Sequence, residues 1–121
     1  MTTTAVVADD SAAARKLIAA LLRRDGFDVR EAADGAAAWR LIEDHAPDLL
    51  VVDDVLPAIS GVELVEALRD RPDLRPVRVA FLVEFQSGFD RAAHAGLGEG
   101  FVIQKPFDLD DVAAQLRRIC R

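Results

Sequence analysis

Leu49-Leu50-Val51-Val52-Asp53-Asp54 is an unbroken apolar run that stops on two acids. A strand with one wet face alternates apolar and polar residues, because successive side chains point to opposite sides. Four apolar residues in a row predict a strand covered on both faces, the pattern of a parallel sheet. Three further runs read the same way: Ala5-Val6-Val7-Ala8, residues 77–83, and Phe101-Val102-Ile103. A shorter, more polar run surrounds Phe27-Asp28-Val29.

Between these runs lie segments with helical spacing. Ala14, Leu17, Ile18, Leu21 and Leu22 define the inward face of a first helix, with Ser11 as N-cap and Gly26 as its stop. Ala38, Leu41, Ile42 and His45 repeat the pattern up to Pro47, and Val62, Val65 and Leu68 repeat it before Pro72. A fourth helix is expected around residues 90–95, and a last one opens on Asp108 and buries Leu109, Val112, Ala113, Leu116 and Ile119. Five strands alternating with five helices predict an α/β fold. It is a doubly wound five-stranded parallel sheet with helices on both faces and right-handed crossovers.

A length of 121 residues suits a single domain spanning 1–121. No apolar run approaches the roughly 20 residues of a membrane span. Met1-Thr2-Thr3-Thr4 lacks the basic start and apolar core of a signal peptide, so a cytoplasmic location and no membrane partner are expected. The formal net charge of −6 argues against direct nucleic-acid binding, which needs basic patches. Cys120 is the single cysteine, which rules out an internal disulfide.

Open parallel sheets bind ligands outside the carboxyl ends of their strands. At those ends this chain carries acids: Asp9 and Asp10 after the first strand, Asp53 and Asp54 after the third. Crowded carboxylates repel one another, and a hard divalent cation with oxygen ligands relieves them. Mg²⁺ suits such a site because it leaves room for phosphate oxygens. Lys105, closing the fifth strand before Pro106, can neutralise a phosphoryl oxygen as a point charge. Alone, each element has an ordinary reading: helix capping for Asp9-Asp10, turn chemistry for Asp53-Asp54, a solvated lysine for Lys105. Together they describe a phosphoryl-handling pocket in which a carboxylate is the nucleophile. No glycine-rich phosphate loop competes, and His45 and His94 fall on predicted helices away from the strand ends.

The segment from Pro47 to Pro57, with Gly61 four residues on, closely resembles the phosphoacceptor segment of response-regulator receiver domains. Asp9-Asp10 is similar to that family's acidic pair, Lys105-Pro106-Phe107 to its lysine–proline–phenylalanine signature, and Asp34-Gly35 also matches. The likeness runs along essentially the whole chain and implies the flavodoxin-like receiver topology of a bacterial two-component system or phosphorelay. The family's acceptor aspartate lies four residues before the proline, which selects Asp53 over Asp54. By that resemblance Asp10 ligates Mg²⁺ directly and Asp9 through water. Asp53 is ligand and acceptor, the Val55 backbone carbonyl completes the set, and Lys105 pairs with the phosphoryl group. The resemblance also implies a sensor histidine kinase or histidine phosphotransfer protein as donor and a protein as downstream target. A single receiver domain with no output domain within these 121 residues, and no activity beyond its own phosphotransfer and dephosphorylation, is expected, whether it stands alone or is cut from a longer protein.

Three positions depart from the family pattern. Its Ser or Thr at the end of the fourth strand is Val83, the small residue after it is Glu84, and its aromatic switch residue is Val102. Valine has no hydroxyl to donate to a phosphoryl group. Ser87 could substitute if the loop is remodelled, and Phe101 could replace the aromatic after a one-residue slip, which would turn a strand's inward set outward. Two readings stay open: a phosphoacceptor read out by a non-standard route, and a pseudo-receiver interaction module that signals without phosphorylation. A haloacid-dehalogenase-like phosphatase would need a second Asp where Val55 stands.

Overall fold

The computed structural model describes residues 3–74, 76–84, 101–105 and 108–119, and for residues 84, 101–105, 109 and 119 the backbone alone. The chain runs β1 (Thr4–Ala8), α1 (Ala12–Arg24), β2 (Asp28–Ala32), α2 (Gly35–Asp44), β3 (Leu49–Asp53), α3 (Gly61–Arg69), β4 (Arg78–Glu84), β5 (Phe101–Lys105) and α4 (Leu109–Ile119). All four strand pairings are parallel, in the order β2-β1-β3-β4-β5. The helix expected at residues 90–95 lies outside the described residues, as do the side chains of Leu109 and Ile119.

Every residue of β3 is buried, as its unbroken apolar run requires for the middle of a sheet covered on both faces. The pleat divides the core in two. Ala5, Val7, Leu49, Val51, Ala80 and Leu82 pack with Ile18, Leu22, Val112 and Leu116 of α1 and α4. Val6, Ala8, Leu50, Val52, Val79, Phe81 and Val83 pack with Ala38, Ile42, Leu64 and Leu68 of α2 and α3. Each fully buried Val, Leu or Ile contributes roughly 2 kcal/mol of transfer free energy. Strand β2 stands at the sheet edge, and its exposed Asp28 and Arg30 alternate with buried Val29 accordingly.

Caps set the helix ends. The Ser11 side chain accepts the Ala14 N–H, Asp34 accepts the Ala37 N–H, and Asp108 accepts the Asp110 N–H. Gly26, at φ +94°, ends α1 with its N–H on the Arg23 carbonyl.

Three sequence expectations are corrected. Leu17 is 48% exposed, because the inward stripe of α1 runs through Arg15, Ile18, Ala19 and Leu22 at 3–4 spacing and leaves Leu17 a quarter-turn aside. His45 is the exposed C-cap of α2 and not part of its buried face. Strand β4 starts at Arg78, since the Val77 N–H closes a turn on the Leu74 carbonyl and does not join the sheet.

Candidate functional site

Strand order reverses between β1 and β3: the chain leaves β1 for the β2 edge, then returns to build β3, β4 and β5 on the other side. Loops leaving the carboxyl ends of two such strands diverge and open a crevice between them. Asp9 and Asp10 follow β1 and Asp53 ends β3, and the Ala8↔Val52 pairing brings the two strand ends level. One carboxylate oxygen from each of Asp9, Asp10 and Asp53 lies within 4.8 Å of the other two.

Backbone donors orient two of the three acids. The Ser11 N–H donates to Asp9 Oδ1 at 2.9 Å, and the Val55 N–H donates to Asp53 Oδ1 at 3.0 Å. Asp9 and Asp53 are buried, whereas Asp10 is exposed. An all-oxygen set bearing three negative charges, two of them out of water, matches the demands of a hard divalent cation.

Two glycines let the surrounding loops close. A Cβ on Gly61 would lie 2.0 Å from the Asp53 carbonyl oxygen, and the Gly61 N–H donates to the Asp54 carbonyl. The start of α3 is thus pressed onto the backbone of the acid itself. A Cβ on Gly35 would lie 2.2 Å from the Ile59 carbonyl oxygen, and the Gly35 N–H donates to the Pro57 carbonyl. This contact explains why Asp34-Gly35 opens α2: it docks the loop after β2 onto the loop after β3.

Residues 5–117 match the family described as the response regulator receiver domain. The chain belongs to that family. It is 36% identical over 122 residues to response regulator GtcR of Aneurinibacillus migulanus, covering 98% of this chain and 49% of that protein. It is 32% identical over 121 residues to the alkaline phosphatase synthesis transcriptional regulatory protein PhoP of Bacillus subtilis, covering 100% of this chain and 50% of that protein. The receiver domain thus spans about half the length of the curated relatives it matches. Among solved structures, the REC domain of AraT, a response regulator from Geobacillus stearothermophilus, superposes with a TM-score of 0.83 at 25% identity, covering 98% of this chain and 95% of that one. Chemotaxis response regulator CheY4 of Vibrio cholerae shares the fold, with a TM-score of 0.88 at 24% identity and coverage of 98% and 99%.

The remaining positions singled out in the sequence fall as follows in the receiver domain. Lys105 is the last residue of β5 and pairs with Glu84, which puts its backbone at the rim where β3 ends, since Asp53 pairs with Leu82. Val102 pairs with Phe81 in a register that runs without a break from Ala80↔Phe101 to Glu84↔Lys105. Val83 is buried in the apolar layer shared with α2 and α3. Val55 is 64% exposed. Ser87 lies outside the described residues.

Asp54 stands apart from the three clustered acids. It is 8% exposed, its N–H donates to the Leu82 carbonyl, and its Oδ1 has no hydrogen-bond partner among the described residues. A buried polar atom left unmatched costs about 1–3 kcal/mol. Replacing Asp54 with valine is therefore expected to stabilise the metal-free domain by about 1 kcal/mol in urea unfolding. A loss of stability of that size would show that the carboxylate is matched in solution.

Arg15 was not legible as a site residue. Its side chain is 15% exposed, and Nη1 donates to the Asp9 carbonyl at 2.9 Å while Nε meets Glu31 Oε1 at 3.2 Å. The signal available in the sequence was a cation heading the stripe Arg15, Ile18, Ala19, Leu22, where solvent cannot be its partner.

Proposed function

We propose that this receiver domain accepts a phosphoryl group on Asp53 with Mg²⁺, taken from a sensor histidine kinase or a histidine phosphotransfer protein, and signals through protein contacts. The convergence of Asp9, Asp10 and Asp53 at the reversal point of the sheet carries this reading. Asp10 and Asp53 would hold the ion directly, Asp9 through water, and the Val55 carbonyl would complete the protein's share. When bound, the ion would supply positive charge that offsets the repulsion between the carboxylates and an incoming phosphoryl group. The Asp53 carboxylate attacks phosphorus in line, forming an O–P bond as the bond to the donor nitrogen breaks. The Val55 N–H keeps Asp53 from rotating during that approach. By the family resemblance, Lys105 would pair with the phosphoryl oxygens and neutralise part of their charge.

Val83 has no hydroxyl, and its burial among apolar side chains leaves it no polar task. The phosphorylated state is therefore expected to be read by a route that bypasses position 83.

Intact mass spectrometry tests the proposal. Acetyl phosphate with Mg²⁺ should add the mass of one phosphoryl group, and chelation of the metal should prevent it. An unchanged mass at saturating donor and Mg²⁺ would leave the interaction module that signals without phosphorylation as the surviving reading.

A further inference from the structure

We propose that Arg15 is a positioning residue for the cation site, aiming Asp10 through the peptide that joins it to Asp9, with Glu31 holding the guanidinium in place. The inference rests on the reading of Asp9, Asp10 and Asp53 as a Mg²⁺ site. The Asp9 carbonyl and the Asp10 N–H belong to one planar peptide unit, so a bond to that oxygen restrains the direction in which Asp10 leaves the strand end. The Arg15 Nη1–H supplies that bond at 2.9 Å. On the other side of Asp9, its own N–H donates to the Ala32 carbonyl at 3.1 Å. Asp10 itself is exposed, so packing does not aim it.

The guanidinium is in turn braced. Its Nε meets Glu31 Oε1 at 3.2 Å, the second Glu31 oxygen meets Arg23 Nη1 at 3.4 Å, and Arg23 Nη2 donates to the Val29 carbonyl at 3.1 Å. The chain of contacts joins α1 to β2 and ends on the backbone of the acidic loop. A planar fork can serve a carboxylate and a carbonyl at once, which an ammonium on a flexible stem cannot do with fixed geometry. Mg²⁺ tolerates little error in ligand placement, so the orientation of Asp10 should appear in its affinity.

Positioning and plain electrostatics predict opposite signs. Removing a positive charge beside three carboxylates should by itself tighten Mg²⁺ binding. Loss of an orienting contact behind a ligand should weaken it, typically by about tenfold or more.

Calorimetric titration with Mg²⁺ of the wild-type domain, Arg15→Ala, Asp10→Asn and the double variant separates the cases. Arg15→Ala is expected to weaken binding about tenfold. In the Asp10→Asn background the same change should cost less than about twofold, because the ligand it aims is already altered. Arg15→Lys, which keeps the charge but cannot serve the Glu31 carboxylate and the Asp9 carbonyl at once, should show a smaller loss of the same sign where plain electrostatics predicts none, and it keeps the test available if Arg15→Ala does not fold. Unchanged or tighter binding by Arg15→Ala, or an equal loss in both backgrounds, overturns the positioning role while leaving the Mg²⁺ site standing. A wild-type domain that takes up no Mg²⁺ overturns both.

Discussion

Asp53→Asn is expected to leave the receiver domain folded and to abolish its labelling by acetyl phosphate. The side chain keeps its shape, and the amide oxygen can still accept the Val55 N–H now found on Asp53 Oδ1. What disappears is the negative charge: an amide is no nucleophile, and it is a poorer ligand for a hard cation. Without metal, the variant should unfold at the same temperature as the wild type or higher, because one of three crowded carboxylates has lost its charge. Peptide mapping of the labelled wild type should place the phosphoryl group on Asp53. Label persisting in the variant, or found on Asp54, would reject the assignment.

Gly61→Ala should be among the most damaging single-methyl changes available in this fold. Its Cβ would lie 2.0 Å from the Asp53 carbonyl oxygen and 2.9 Å from the carbonyl carbon, both backbone atoms of a buried strand end. Relief requires the start of α3 to back away from β3, disturbing the bond from the Gly61 N–H to the Asp54 carbonyl. Forcing a methyl group into such a contact costs about 3 kcal/mol, or roughly 10 °C in thermal midpoint for a domain of this size. Because the displaced atoms belong to Asp53, a member of the proposed cation site, Mg²⁺ affinity should fall with stability. Gly26→Ala is the informative control: its φ of +94° strains any side chain, yet a Cβ there would meet nothing within 4 Å. That change should cost only about 1 kcal/mol and leave Mg²⁺ binding alone. Equal losses for both variants would mean that the start of α3 yields to the methyl group cheaply and that the close approach to Asp53 does not require glycine at position 61.

The unbroken run Leu49-Leu50-Val51-Val52 was enough to announce a strand covered on both faces, since burial on each side of a pleat writes itself directly into residue type. The alternation of such runs with helical spacing then implied the parallel sheet, and the strand-end rule pointed to Asp9, Asp10, Asp53 and Asp54, among which the family resemblance selected Asp53 over Asp54. These features are local, or follow from topology that local patterns dictate. Leu17 shows where that stops. The stripe Ala14, Leu17, Ile18, Leu21 and Leu22 is wide enough to admit more than one rotation of the helix, and only packing against the sheet selected the face through Ile18, Ala19, Leu21 and Leu22.

Long-range closeness was out of reach for the same reason. Nothing near Gly35 or Gly61 in sequence reveals that their missing Cβ atoms make room for carbonyls of Ile59 and Asp53. A charge on a helix looks solvated until the strand beside it is in place. Arg15 became a partner of Glu31 and of the Asp9 carbonyl only once β2 lay along β1 and α1 crossed them. Asp54 followed the same course in reverse, an acid next to an acid in sequence that the fold left buried with one oxygen unmatched. Sequence alone thus determined which groups bear charge and where the chain turns. Which charges meet was decided by tertiary structure, because hydrogen bonds act over about 3 Å and residues far apart in the chain come that close only when the sheet has formed.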